Sequence, residues 1–230
     1  CGGEDLEGFA VKYAFSLVVS REGECEDECF FAKTAYVRIE GVDVHPGYGK
    51  DKLVNAFRVF AWIVSHLPEE NLPETTDGRE PYRFPYECPD VPKVDLFKVN
   101  FLLRAFTEHE LNEMERVLCE LCSQAEKQFH GSKVTINVKA FYKNMKVMMD
   151  EHPLVMQLME QACHAQGITP IHKPIRGGTD GSALTIKHGI PTPNMWAGGM
   201  NFHSRTEWIP VAWMVSAVET VIKMFELCLK

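Results

Sequence analysis

The clearest early signal along the chain is an alternation. In AKTAYVRIEG, Ala35, Val37 and Ile39 fall on one face of an extended segment, which predicts a strand. After HPGYGKD the period changes, and Leu53, Phe57, Phe60, Ile63, Val64 and Leu67 recur at helical spacing. Turn-forming residues between Leu72 and Tyr82 then lead to one or two strands, the clearest being KVDLFKVNFLLRAF. Thr107 and Glu110 make a capping box for a helix that carries Leu111, Met114, Leu118, Leu121 and Ala125. KVTINVK returns to period two through Val134, Ile136 and Val138. The order β-α-β-β-α-β predicts a split-βαβ, ferredoxin-like sandwich.

The two ends of the chain read differently. FAVKYAFSLVVS, within residues 1–24, is a β-rich apolar run with too little around it to form a domain. Pro153 opens a helix with Leu154, Val155, Leu158, Met159, Ala162 and Cys163 on its apolar side, ended by Gly167. Pro210 starts a last amphipathic helix with Val211, Met214, Val218, Val221, Ile222 and Phe225. Both ends look like parts of one layered α/β domain. The expected organisation is therefore 1–24 and 146–230 as an incomplete α/β domain, with the split-βαβ unit at 25–145 inserted between them.

Composition narrows the functional classes. The chain has 230 residues, 45% hydrophobic, enough for a sizeable core. Its 24 Lys plus Arg against 32 Asp plus Glu give a net charge of -8, and no basic stripe offsets it, which argues against nucleic acid as a partner. No apolar run is long enough to span a bilayer, and CGGEDLEGF lacks the features of a signal peptide, so no membrane role and a cytoplasmic location are expected. The eight cysteines are scattered and read as thiols. Cys119 and Cys122 share a helical run, and Cys25 and Cys29 flank the acidic run EDE, read as a solvated turn.

The chemistry concentrates between Pro174 and Trp208, a ribbon dense in glycine and proline. Arg176 precedes Gly177 and Gly178, and Asp180 precedes Gly181, so backbone N–H groups and a guanidinium can approach an anion together. A tight turn with Arg176 and Asp180 paired at the surface would give the same spacing. His203 in GGMNFHSRTEW, four residues before Glu207, reads as a metal ligand or as a hydrogen-bonding loop residue. His45, at a strand end before Pro46, reads as a reactive imidazole or as a turn cap.

Four ordered motifs bear on these alternatives. VDVHPGYGKDKLVNA (Val42 to Ala56), FYKNM (Phe141 to Met145), KPIRGGTDGSALTIKHGIPTPN (Lys173 to Asn194) and AGGMNFHSRTEW (Ala197 to Trp208) closely resemble the peptidase T family. These are zinc-dependent tripeptide aminopeptidases of the aminopeptidase/carboxypeptidase metallohydrolase clan. The resemblance implies a zinc-binding α/β domain with an inserted split-βαβ lid that often serves as a dimerisation surface, a small peptide as substrate, and homodimer formation through the lid. By position it makes His203 a zinc ligand with Glu207 beside it. Arg176, Gly177, Gly178, Thr179 and Asp180 become the pocket for the substrate's carboxylate or backbone. His45 becomes an oxyanion donor, and Tyr142 and Asn144 contacts to substrate at the lid edge.

The same resemblance marks departures. The family draws further metal ligands and a Glu base from a His-x-Asp pair, a bridging Asp and a Glu-Glu pair, and no counterpart of these is found in the matched stretches. Another ligand Asp follows a Tyr-Ala-Tyr-Thr-x-Asp-Gly pattern, where this chain has Val18. A single imidazole does not hold catalytic zinc. The expectation is that zinc is not retained and that this chain alone is inactive, its missing first part absent or supplied separately. The alternative is a non-catalytic peptide-binding or dimerisation module.

Overall fold

The computed structural model describes residues 11–18 and 20–229. In chain order the strands and helices are β1 (Ser16–Val18), β2 (Glu24–Glu26), β3 (Phe31–Glu40), α1 (Ala56–Ser65), β4 (Tyr82–Glu87), β5 (Leu96–Ala105), α2 (Glu108–Gln128), β6 (Lys133–Tyr142), α3 (Lys146–Met149), α4 (Pro153–Ala165), β7 (Ile171–His172), α5 (Asp180–His188), β8 (Asn194–Trp196) and α6 (Val211–Cys228). They fall into two compact units, Phe31–Phe141 and the two chain ends, Cys1–Phe30 with Tyr142–Lys230.

Phe31–Phe141 carries the predicted β-α-β-β-α-β order on one sheet arranged β4-β5-β3-β6. β3 and β5 pair antiparallel from Phe31↔Ala105 to Glu40↔Leu96. That register sets Ala35, Val37 and Ile39 beside Phe97, Val99, Phe101 and Leu103 on the buried face, under Val59 and Ile63 of α1 and Leu118 of α2. Each of the larger of these side chains contributes roughly 1.5–3 kcal/mol by leaving water. Asn55 starts α1 by accepting from the Phe57 N–H at 2.9 Å. Thr107 starts α2 by accepting from Glu110 N at 3.2 Å, and its hydroxyl donates to the Glu110 carboxylate at 2.6 Å.

The unit made by the ends has its own sheet, ordered β1-β8-β2-β7. β1 runs parallel to β8 with Val18 opposite Trp196, β8 is antiparallel to β2, and β2 is parallel to β7. The core is rich in methionine, with Met145, Met149, Met156, Met159, Met195 and Met224 buried around Trp196. No helix among the described residues is long and apolar enough to cross a membrane.

Several expectations change here. The apolar run at residues 9–20 gives a strand of only three residues; Phe9, Ala10 and Val19 lie outside the described residues. The expected solvated turn at Cys25–Cys29 is a correction: both cysteines are fully buried, and Glu24–Glu26 is a buried strand. It tolerates its carboxylates because Lys173 pairs with Glu24 at 2.5 Å and Asn194 reaches Glu26. α4 buries Met156 where Leu154 was expected, leaving Leu154 exposed. α6 departs most. It buries Ala217, Thr220 and Met224, while Val211, Met214, Val218, Ile222 and Phe225, the expected core side, are exposed.

Candidate functional site

In the unit formed by the chain ends, the segment from Arg176 to Gly181 is held by a buried polar relay. Thr179 caps α5: its Oγ1 accepts from Ser182 N at 3.1 Å, and Ser182 Oγ accepts from Thr179 N at 2.9 Å. The Thr179 hydroxyl donates to Asn194 Oδ1 at 3.0 Å, and Asn194 Nδ2 donates to Glu26 Oε2 at 3.3 Å. Helix start, strand β8 and strand β2 are thereby tied through three side chains. Gly181 is required by proximity, since a Cβ there would sit 2.4 Å from Asn194 Oδ1 and 2.7 Å from the Thr192 carbonyl oxygen.

Glu26 is the electrostatic anomaly of this relay. It is 4% exposed, and burial pushes its carboxyl up to about 8. Asn194 and Lys173 pull in the opposite direction and Glu24 adds to the rise, but desolvation outweighs them. At neutral pH Glu26 is thus mostly a neutral acid. Neighbouring thiols are also held protonated: burial pushes Cys29 up to about 11, and Cys25 is raised by its contact with Cys163 and by burial.

Around this relay stand the residues expected to meet substrate. The Arg176 guanidinium lies 5.4 Å from the centre of the Phe30 ring, a cation–π distance, and the residue is half-buried. Gly178 lies against Tyr142, where an added Cβ would approach the ring to 2.7 Å. Gly177 has open space at the equivalent position, and Asp180 is exposed at the first turn of α5. Asn144 is only 3% exposed. Its Oδ1 accepts from Cys29 N at 3.1 Å and Lys146 N at 2.9 Å, and its Nδ2 donates to Glu28 at 3.3 Å, so its amide braces the junction of β2 and α3.

His203 projects from a loop closed by the antiparallel bridge between Met200 and Trp208. Both His203 and Asn201 adopt the left-handed conformation, with φ of 62° and 56°. The Glu207 carboxylate accepts from the His203 N–H at 3.0 Å and holds the loop in that shape. The imidazole is exposed. His45 lies in the other unit, where its Nδ1 accepts from Gly47 N at 3.2 Å and caps the turn Pro46–Tyr48. In the neutral ring this acceptor role leaves the proton on Nε2, which makes that nitrogen a donor.

Whether zinc fits is decided by the donor set. Among the described residues, no three His, Cys, Asp or Glu side chains gather where they could hold a metal ion. Val18 presents a hydrocarbon from β1, opposite Trp196. The described residues therefore do not fit a zinc centre by themselves. Sequence reasoning missed Glu26 and Asn194. The only available signal was a carboxylate flanked by Cys25 and Cys29, two thiols in a run otherwise read as polar.

Two small sheets with covering helices, one sheet continuous in sequence and the other assembled from both ends, make a mixed α/β fold shared with solved peptidases. Against the aminopeptidase PepT from Bacillus cereus ATCC 10987 the TM-score is 0.75 at 22% identity, covering 99% of this chain and 60% of that one. Against a tripeptidase from Staphylococcus aureus subsp. aureus Mu50 it is 0.77 at 14% identity, covering 97% and 59%. Residues 2–227 match the model of peptidase family M20/M25/M40, and the chain belongs to that family. It is 37% identical over 223 residues to peptidase T from Clostridium perfringens (strain SM101 / Type A). That alignment takes in 97% of this chain and 54% of the relative, so the chain spans about half the length of the curated relatives it matches.

Proposed function

We propose that this chain is the substrate-holding part of a peptidase T-like tripeptide aminopeptidase. The observation that supports the reading most is the 37% identity to a peptidase T over 97% of the chain. In this reading Arg176 pairs with the carboxylate of a short peptide. The backbone from Gly177 to Asp180 lines the same pocket, and Tyr142 closes one side. His203 is the ligand this chain contributes to a zinc centre, with Glu207 fixing its loop and Nε2 of His45 donating to the oxyanion. The remaining donors come from polypeptide beyond these 230 residues, and the chain alone does not hydrolyse peptides.

The test is binding and turnover of a tripeptide by the 230-residue chain. We expect saturable binding by calorimetry that Arg176→Met weakens about tenfold or more, no hydrolysis, and no stoichiometric zinc. Hydrolysis by the chain alone, or binding indifferent to Arg176, would overturn the proposal. Val18 favours a second reading, a peptide-binding module without catalysis. Restoring turnover by adding the unmatched part of a relative separates the two, since the module would stay inert.

A further inference from the structure

The relay beneath the peptide pocket ends on a carboxyl group that the proposed chemistry does not use. Glu26 on β2, Asn194 on β8, and Thr179 and Ser182 at the start of α5 are each more than nine-tenths buried. Their hydrogen bonds all run in one direction. Ser182 N donates to Thr179 Oγ1 at 3.1 Å, the Thr179 hydroxyl to Asn194 Oδ1 at 3.0 Å, and Asn194 Nδ2 to Glu26 Oε2 at 3.3 Å. Donors aligned in this way polarise one another, so a change of charge at the acceptor end is felt at the donor end. That donor end is the backbone that continues from Arg176 and Gly177 into α5.

A second connection brings the same two regions together. Lys173 N donates to the Cys25 carbonyl oxygen at 3.1 Å and Ile175 N to the Glu28 carbonyl oxygen at 2.9 Å. The strand that carries Glu26 therefore lies beside the segment that leads into Arg176, all within the unit formed by the chain ends. The ionisable groups around Glu26 do little to offset a charge there. Glu24 on the same strand repels it, and Lys173 attracts it but is engaged by Glu24 at 2.5 Å. Cys25 and Cys29 flank Glu26 in sequence, with Cys163 and Glu160 of α4 acting on Cys25 and Glu28 acting on Cys29. Apart from Lys173, none of these groups can carry a positive charge.

We propose that Glu26 is a positioning residue for the peptide pocket: with its proton in place the relay holds Gly177 to Asp180 for a substrate carboxylate, and loss of the proton sets a second negative charge against that carboxylate. The inference rests on the proposed function, since it takes Arg176 and its neighbours as the pocket. Coupling of this kind is reciprocal, so a bound carboxylate makes Glu26 harder to ionise, and binding draws a proton from solution. Burial lifts Glu26 to about 8, so the proton is held at neutral pH and the grip weakens as pH rises through that value.

The experiment is calorimetry of tripeptide binding to the 230-residue chain and to its Glu26→Gln variant between pH 6.5 and 9.5, in buffers of low and high ionisation heat. Affinities at the two ends of the range are compared within each protein. Titration of the thiols, of the histidines and of the peptide's own amino group is common to both proteins and drops out. Wild type should lose at least about fivefold more affinity than the variant across the range, and should take up more protons than the variant on binding near pH 8. Without peptide, the Thr179 and Ser182 amide resonances should shift with the Glu26 carboxyl in wild type and show no such step in the variant. A role confined to the hydrogen bond would weaken binding at every pH and leave the two profiles parallel. Parallel profiles, equal proton uptake, or amides that ignore the carboxyl would each overturn the inference, while Arg176-dependent binding would leave the proposed function standing. No binding by wild type at any pH would remove both.

Discussion

Replacing Glu26 by glutamine should change how the stability of its unit depends on pH. The native carboxyl is raised from an ordinary 4.5 to about 8, chiefly by burial. Between those values the folded chain keeps a proton that the unfolded chain has released, so stability falls as pH rises, and it levels off above the folded value. The gap of about 3.5 pH units at 1.36 kcal/mol each gives about 5 kcal/mol as the upper figure. The Glu26→Gln side chain would keep the acceptor for Asn194 and carry no charge, so the variant should lack this slope. The assay is urea unfolding at pH 5.5, 6.5 and 7.5, followed by amide hydrogen exchange at Asn194–Trp196, which reports this unit. Wild type should lose about 1.4 kcal/mol per pH unit relative to Glu26→Gln. Histidines are common to both proteins and cancel in the difference. Parallel pH profiles for the two proteins would refute the reasoning.

Two other substitutions test neighbouring arguments. Gly181→Ala would force a methyl against Asn194 and the Thr192 carbonyl oxygen, and should cost about 1–3 kcal/mol by urea unfolding while loosening amides at the start of α5; a neutral result would mean that β8 yields freely. In the other unit Arg83 is almost fully buried, with Nε and Nη2 lacking hydrogen-bond partners and only Nη1 donating, to the Met114 carbonyl oxygen at 3.3 Å. Arg83→Met should raise stability by about 1–3 kcal/mol, and a drop of that size would show that the guanidinium is better satisfied than its geometry indicates.

Much of the Phe31–Phe141 unit was legible because the alternation within each of its strands is unbroken, although the strands it pairs lie far apart in sequence. Ala35, Val37 and Ile39 needed only the pleat to find Phe97 and Val99. The helix caps at Asn55 and Thr107 are equally local, and Thr107 was readable from its spacing to Glu110. The ends of the chain resisted for the opposite reason. Glu26, Thr179 and Asn194 meet from three places spanning 168 positions, and each looks like an ordinary polar residue in its own window. The periodicity of α6 identified its apolar side correctly as apolar, but the helix instead buries the other flank, through Ala217, Thr220 and Met224, with Ser216 bonded to Glu22. Hydrophobic pattern predicts which side seeks burial, not whether this chain supplies the cover. The site expectations rest on motif order, since no pattern argument separates Arg176 from a surface turn.

The methionines at the centre of the end unit have a consequence for how the protein ages. Met145, Met149, Met159 and Met195 are sealed in the native state, so peroxide reaches them only when the unit opens. Their thioethers let the core adjust its shape, but each sulfoxide formed during an opening puts a polar S=O into an apolar core. Reclosing then becomes harder with every oxidation. The damage feeds itself, and the lifetime of this unit in oxidising surroundings is set by how often it opens.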